Sequence, residues 1–257
     1  MQQRQSIPFD RAVEYYDQTR GFPPGVERDV AAMIARAGNL DGSGRVLEVG
    51  VGTGRIALPL SQHAGAVFGL DLSRPMMERL RRKQQHEPVY LTQGDALHLP
   101  FPAAMFDAAM VVHVFHLIPE WRAAVDELRR VLRPDGRLVS AWGGMRYGDQ
   151  WDELRKRVKA VENVGIKSQE EFEAYLLSRG WRMLEVSEHT YPHTVTPRHL
   201  VRQIAERMHS WTWRATSEEI SAAAAALTDM LRERYGDLDR GIEVTGTYGA
   251  AAFAPPE

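Results

Sequence analysis

Apolar residues in this chain fall into two alternating patterns. Val46, Leu47 and Val49 form a short run rich in β-branched side chains, and Ile56, Ala57 and Leu60 then recur on one side of a helix. Continuous short runs suit strands covered on both faces, whereas i, i+3, i+4 spacing suits a helix lying on a sheet. Ala66–Leu72, Val89–Gln93, Phe106–His113 and Arg137–Trp142 repeat the strand pattern. Between them Met76, Met77 and Leu80, and then Trp121, Val125, Leu128, Val131 and Leu132, repeat the helical one. This alternation predicts a doubly wound α/β fold with a mostly parallel sheet.

Helix and strand boundaries are marked by their own chemistry. Val26, Val30, Met33, Ile34 and Ala37 make a stripe that Gly38 ends, and Ser73 caps a helix with Pro75 in its first turn. Pro59, placed beyond the first turn of a helix starting near Gly54, predicts a kink. Arg133–Gly136 reads as a turn before the fifth strand. Farther on, Ser168–Glu171 is a capping box for a helix through Phe172, Tyr175 and Leu176, closed by Gly180, and Trp181–Tyr191 is a strand. Thr196–Pro197 opens another helix, Thr216 with Glu219 a second capping box, and Ile242–Phe253 the last strand.

The first strand runs into Gly50, Gly52 and Gly54, which let the chain turn tightly and bring bare backbone against a ligand. Thr53 is placed to cap the helix that follows. The dinucleotide fingerprint needs a third glycine three places after the second, and here Arg55 holds that place. Glu48, just before the turn, favours a cationic ligand and disfavours a pyrophosphate. Asp71 ends the second strand about 20 residues on, where a carboxylate binds ribose hydroxyls in nucleotide-binding folds. Asp95 follows the third strand in Gly94-Asp95-Ala96.

In the pattern Glu48-Val-Gly50-Val-Gly52-Thr-Gly54, in Asp71, in the Gly-Asp-Ala turn and in Phe106–His113, the chain resembles the class I S-adenosylmethionine-dependent methyltransferases. The resemblance runs from about Phe9 to Trp142 and includes Leu132–Gly136; among relatives it is closest in kind to ubiquinone/menaquinone methyltransferase-like members. It implies a seven-stranded Rossmann-like sheet whose last strand runs antiparallel beside the sixth. It also implies S-adenosylmethionine as methyl donor, S-adenosylhomocysteine as product, and a small-molecule acceptor methylated at O, C or N. Asp95 would receive the adenine amino group, and Leu72, Met76, Ala96, Leu97 and Val112 would complete the donor site. Residues 1–40 would form a helical lid in which Tyr15 or Tyr16 covers the donor and Arg20 approaches its carboxylate. Residues 45–142 would be the donor-binding core of a single methyltransferase domain spanning 1–257. Residues 143–257 would complete the sheet, with a helical cap insertion at about 197–236 over the acceptor mouth, where Trp211 and Trp213 would line an apolar pocket or simply pack.

Composition narrows the partners. A net charge of −2 over 257 residues gives no broad cationic field for nucleic acid, and Arg79, Arg81, Arg82 and Lys83 read as a solvated helix face. With no cysteine there is neither disulfide nor thiolate chemistry. No stretch reaches the ~18 apolar residues of a membrane span, and the N-terminus carries no signal-like apolar region, so a cytoplasmic monomer or homodimer is expected.

Methyl transfer requires alignment more than a fixed catalytic group, but a weakly acidic acceptor needs a base, and His113 and His116 after the fourth strand are the candidates. The other reading makes both hydrogen-bonded scaffold residues. His189 and His193 lie in an extended segment with Pro192 between them, so no metal is expected. Two further functions remain open: an NAD-dependent oxidoreductase, disfavoured by Glu48 and the missing glycine, and a non-catalytic protein that binds S-adenosylmethionine.

Overall fold

A computed structural model of the chain describes residues 9–146, 164–213 and 215–256. The sheet has seven strands in the order β3-β2-β1-β4-β5-β7-β6. These are β1 Arg45–Val49, β2 Ala66–Asp71, β3 Val89–Gln93, β4 Phe106–Val112, β5 Leu132–Arg146, β6 Arg182–Val195 and β7 Ile242–Ala254. Strands β1 to β5 pair in parallel, and β7 runs antiparallel between β5 and β6. The chain order reverses between β1 and β4, which opens a crevice at their carboxyl ends, where open α/β sheets bind ligands.

Eight α-helices accompany the sheet among the described residues: α1 Tyr16–Arg20, α2 Val26–Ala37, α3 Ala57–Leu60, α4 Arg74–Lys83, α5 Trp121–Val131, α6 Gln169–Ser178, α7 Pro197–Ala205 and α8 Ser217–Tyr235. The sheet separates two apolar cores. Val30, Met33 and Ile34 of α2 pack with Val46, Val67, Leu80 and Tyr248 on one face. Trp121, Val125 and Leu128 of α5 pack with Leu47, Phe106, Phe172 and Phe253 on the other. A third core, formed by Leu200, Ile204, Ile220, Leu227 and Leu231 together with Val195, lies in the insertion, where the projecting ends of β6 and β7 pair Val195 with Ile242.

Several local expectations are corrected. The helix after the glycine turn is only Ala57–Leu60, so Pro59 sits inside its first turn, where no N–H is needed, and the predicted kink has no ladder to break. Thr53 does not cap it; its hydroxyl turns instead to Asp17. Gly38 lies just past α2 in right-handed conformation, and the left-handed residue is Asn39 at φ +55°. Arg133–Gly136 does not precede β5 but bulges within it, with Phe106 paired to Leu132 and Ala108 to Arg137. Ser168 caps α6 through the Glu171 N–H, but the Glu171 carboxylate receives the Lys167 N–H, so only half the box forms. Both halves form at Thr216 and Glu219.

No helix among the described residues is long and apolar enough to cross a membrane. His189 and His193 lie on β6, with His189 Nε2 3.7 Å from Asp29, and no group of three or more metal-ligating side chains occurs among the described residues.

Candidate active site

The crevice at the β1/β4 reversal holds a half-open cavity of about 670 Å³, part of it open to solvent. Its walls come from the ends of β1, β2 and β4, the turn after β3 and the N-terminal segment. Gly50 and Gly52 form the floor with φ of +77° and +52°. A Cβ on Gly50 would come within 2.0 Å of the Val114 side chain, so this position needs both the backbone freedom and the bare surface of glycine. Gly54, at φ +76°, lies outside the lining and packs its α-carbon against Leu80 of α4.

Asp71 reaches the cavity from the end of β2. Its Oδ2 accepts the Gly52 N–H at 2.8 Å and its Oδ1 accepts the Ser73 N–H at 2.8 Å. Burial raises its pKa, and those two N–H bonds oppose the rise. Asp95 enters from the turn after β3, with Oδ1 accepting the Leu97 N–H at 3.0 Å. Leu72, Met76, Ala96, Val112 and His113 also line the cavity. Sequence reasoning therefore brings nine of its residues to one surface: Gly50, Gly52, Asp71, Leu72, Met76, Asp95, Ala96, Val112 and His113.

Seven others lie outside that lining. Glu48 is buried beneath the glycine turn, where one carboxylate oxygen has no hydrogen-bond partner. Its pKa is raised to about 8, mainly by burial, with Arg55 working against the rise and Asp71 adding to it. Thr53 and Gly54 are absorbed in packing, and Leu97 contributes its N–H to Asp95. Of the two tyrosines, Tyr16 lines the cavity while Tyr15 turns its hydroxyl into the protein. One Nη of Arg20 lies 3.1 Å from Nδ1 of His209 in the insertion. His116 sits in a short 3-10 turn behind the wall.

The two histidines share a cationic neighbourhood. Burial, then Arg55, His116 and Arg20, push the His113 pKa well below its usual 6.5, while a bond to the Gly143 carbonyl opposes the shift. Burial and Arg20 push His116 down to about 4. Both rings are neutral at physiological pH. His113 also has φ +53°, a left-handed conformation uncommon outside glycine, so the chain turns its ring out of β4. Its ring meets Tyr248 edge-on at 5.9 Å.

Sequence reasoning missed Arg55 as more than the occupant of a glycine position. Its guanidinium donates to the Arg20 carbonyl at 2.8 Å and the Tyr248 hydroxyl at 3.0 Å, and lies over the Phe22 ring at 4.8 Å. A charged residue in place of the expected glycine was the available signal. Phe9, from the segment expected to be a lid, and Val114 and Leu117, just past the fourth strand, supply apolar wall together with Ile118, which carried no signal beyond its hydrophobicity. Trp213 packs on Phe9 with ring centroids 4.9 Å apart, so the insertion touches the wall through the N-terminal segment; Trp211 falls outside the described side chains.

With this geometry defined, comparison with known proteins is specific. Residues 47–140 match the family of methyltransferase domains. A phosphatidylethanolamine N-methyltransferase of Cereibacter sphaeroides is 45% identical over 100 residues, covering 37% of this chain and 49% of the relative. A demethylmenaquinone methyltransferase of Thermus thermophilus is 42% identical over 99 residues, covering 37% of this chain and 45% of the relative. The chain thus spans about half the length of the curated relatives it matches. A solved Haemonchus contortus phosphoethanolamine N-methyltransferase, bound to phosphomonomethylethanolamine and S-adenosylhomocysteine, superposes with a TM-score of 0.58 at 19% identity, covering 97% of this chain and 58% of that one. The fold is that of a Rossmann-like class I methyltransferase. Within it, residues 47–140 are the part that matches the methyltransferase-domain family.

Proposed function

We propose that the protein is an S-adenosylmethionine-dependent methyltransferase that acts on a small-molecule acceptor at the β1/β4 crevice. The observation that carries this reading is the convergence of Gly50, Gly52, Asp71 and Asp95 on one cavity that also contains His113. The residues fit the donor. Each Asp71 oxygen has accepted one backbone N–H and retains a lone pair for a ribose hydroxyl. Asp95 keeps an oxygen for the adenine amino group, and Leu72, Met76 and Ala96 offer apolar contact to the base.

The donor, when bound, supplies an already activated methyl group for in-line displacement. The chain's own task is alignment and exclusion of water. Phe9 and Tyr16 cover the cavity from the N-terminal segment, and Val114, Leu117 and Ile118 close the opposite wall. His113, held neutral, offers a hydrogen bond to an acceptor hydroxyl, while the burial and cations that lower its pKa make it a weak acceptor of a full proton.

Thermal unfolding of ligand-stripped protein tests the donor. At ~100 times its dissociation constant, a ligand adds about 2.7 kcal/mol, which for this size moves the midpoint by roughly 5–10 °C. S-adenosylmethionine and S-adenosylhomocysteine should each produce this shift and NAD none. A shift with NAD alone would replace the reading with an oxidoreductase.

A further inference from the structure

Asp17 has no part in the donor chemistry above, yet three side chains from two elements converge on it. Its Oδ1 accepts the Thr53 hydroxyl at 2.5 Å, from the glycine turn. Its Oδ2 accepts Arg79 Nε at 3.0 Å, and both oxygens lie 3.2 Å from Lys83 Nζ, both cations on α4. Arg79 and Lys83 therefore pair with Asp17, while Arg81, Arg82 and Lys83 keep the exposure expected of the cluster and Arg79 is half-buried. Burial raises the Asp17 pKa, but the Thr53 hydrogen bond and the Lys83 and Arg79 cations outweigh it and leave the carboxyl below its usual range.

What Asp17 holds is the covering segment. The adjacent Tyr16 and, seven residues earlier, Phe9 both line the cavity. α1 is only Tyr16–Arg20, too short to persist by its own hydrogen bonds, and contains no buried residue. Its position must come from side-chain anchors. Behind Asp17 the Arg20 carbonyl is fixed by half-buried Arg55, and ahead of it Phe9 leans on Trp213. The Asp17 cluster is the middle anchor. Its carboxylate is about a quarter exposed at 27%, and Lys83 is 34% exposed, so it is the anchor that water can enter.

We propose that Asp17 is a positioning residue, its carboxylate gripped by Thr53, Arg79 and Lys83 so that Phe9 and Tyr16 are held over the cavity and a bound methyl donor is retained. The retention part rests on the methyltransferase reading; the anchoring part does not. Loss of the anchor opens the segment without altering Gly50, Gly52, Asp71 or Asp95. Release of ligand therefore accelerates while its capture changes little.

The test is hydrogen exchange together with stopped-flow binding of S-adenosylhomocysteine, on wild type and Asp17→Asn. In the variant, amides of residues 9–21 should exchange at least ten-fold faster while those of β1 and β4 keep their rates. The dissociation rate of S-adenosylhomocysteine should rise about ten-fold, with the association rate within two-fold of wild type. Thr53→Val combined with Lys83→Met removes partners and leaves Asp17 in place, which preserves the test if Asp17→Asn folds poorly; it should reproduce both effects. Unchanged exchange over 9–21 would overturn the anchor. Faster exchange with an unchanged dissociation rate would overturn the retention. Failure of wild type to bind S-adenosylhomocysteine would instead defeat the methyl-donor reading, and the exchange arm would still decide the anchor.

Discussion

Each oxygen of Asp71 already receives one backbone N–H, from Gly52 or from Ser73, so the residue shapes the turn before any ligand arrives. A single carboxylate thereby sets the floor and, on the proposed reading, presents two acceptors to a sugar. Asp71→Asn converts one acceptor to a donor and removes the charge. A hydrogen bond to a charged group contributes about 1.5–3 kcal/mol, so calorimetric affinity for S-adenosylhomocysteine should fall ten-fold or more. Equal affinity would take the ribose contact away from Asp71. Glu48 was legible as an acid before a glycine turn, but its burial was not, because it lies on β1 between Gly69 of β2 and Met110 of β4, which come from farther along the chain. With its pKa raised from 4.5 to about 8, the folded protein holds a proton that the unfolded chain releases. Stability from this group is full below pH 4.5 and is lost as pH rises toward 8. Glu48→Gln cannot ionise, so its midpoint relative to wild type should rise steadily between pH 5 and 8 in thermal unfolding; parallel pH profiles would refute the shift.

Elements were the most readable layer, and the exceptions share a cause. β3 and α2 keep their expected bounds or stripe because local periodicity and long-range packing agree there. Around α3 they disagree. The glycine turn occupies residues that periodicity assigned to a helix, and the helix shrinks to Ala57–Leu60. Gly54 shows the force of that packing: a Cβ would stand 2.5 Å from Leu80 Cγ, on backbone at φ +76°. Gly54→Ala combines a left-handed cost of about 1–2 kcal/mol with overpacking of about 1–3 kcal/mol, so urea unfolding should lose about 2 kcal/mol or more. A loss near zero would mean that α4 moves freely from the turn. The bulge at Arg133–Gly136 is likewise invisible to sequence, since a proline-glycine turn reads the same whether it ends a strand or interrupts one.

At the scale of the whole molecule, the mostly parallel sheet and the gathering of the site residues were legible because four motifs lie on the ends of parallel strands, and a parallel sheet gathers such ends on one side; the strand order was not read from the sequence. What did not follow was how the N-terminal segment reaches them. Tyr15 and Tyr16 are adjacent in sequence, yet only the second lines the cavity, and the choice is made by the direction of a five-residue helix anchored through side chains.

The insertion has its own core, Leu200, Ile204, Ile220, Leu227 and Leu231, separate from the two that pack on the sheet. Substitutions among these residues are therefore absorbed in a core apart from the residues that line the cavity. Each change there is felt by the cavity only through contacts such as Trp213 on Phe9. If the cavity holds a methyl donor as proposed, an architecture of this kind can take a new acceptor by rewriting an appendage, with no need to rebuild the cofactor site.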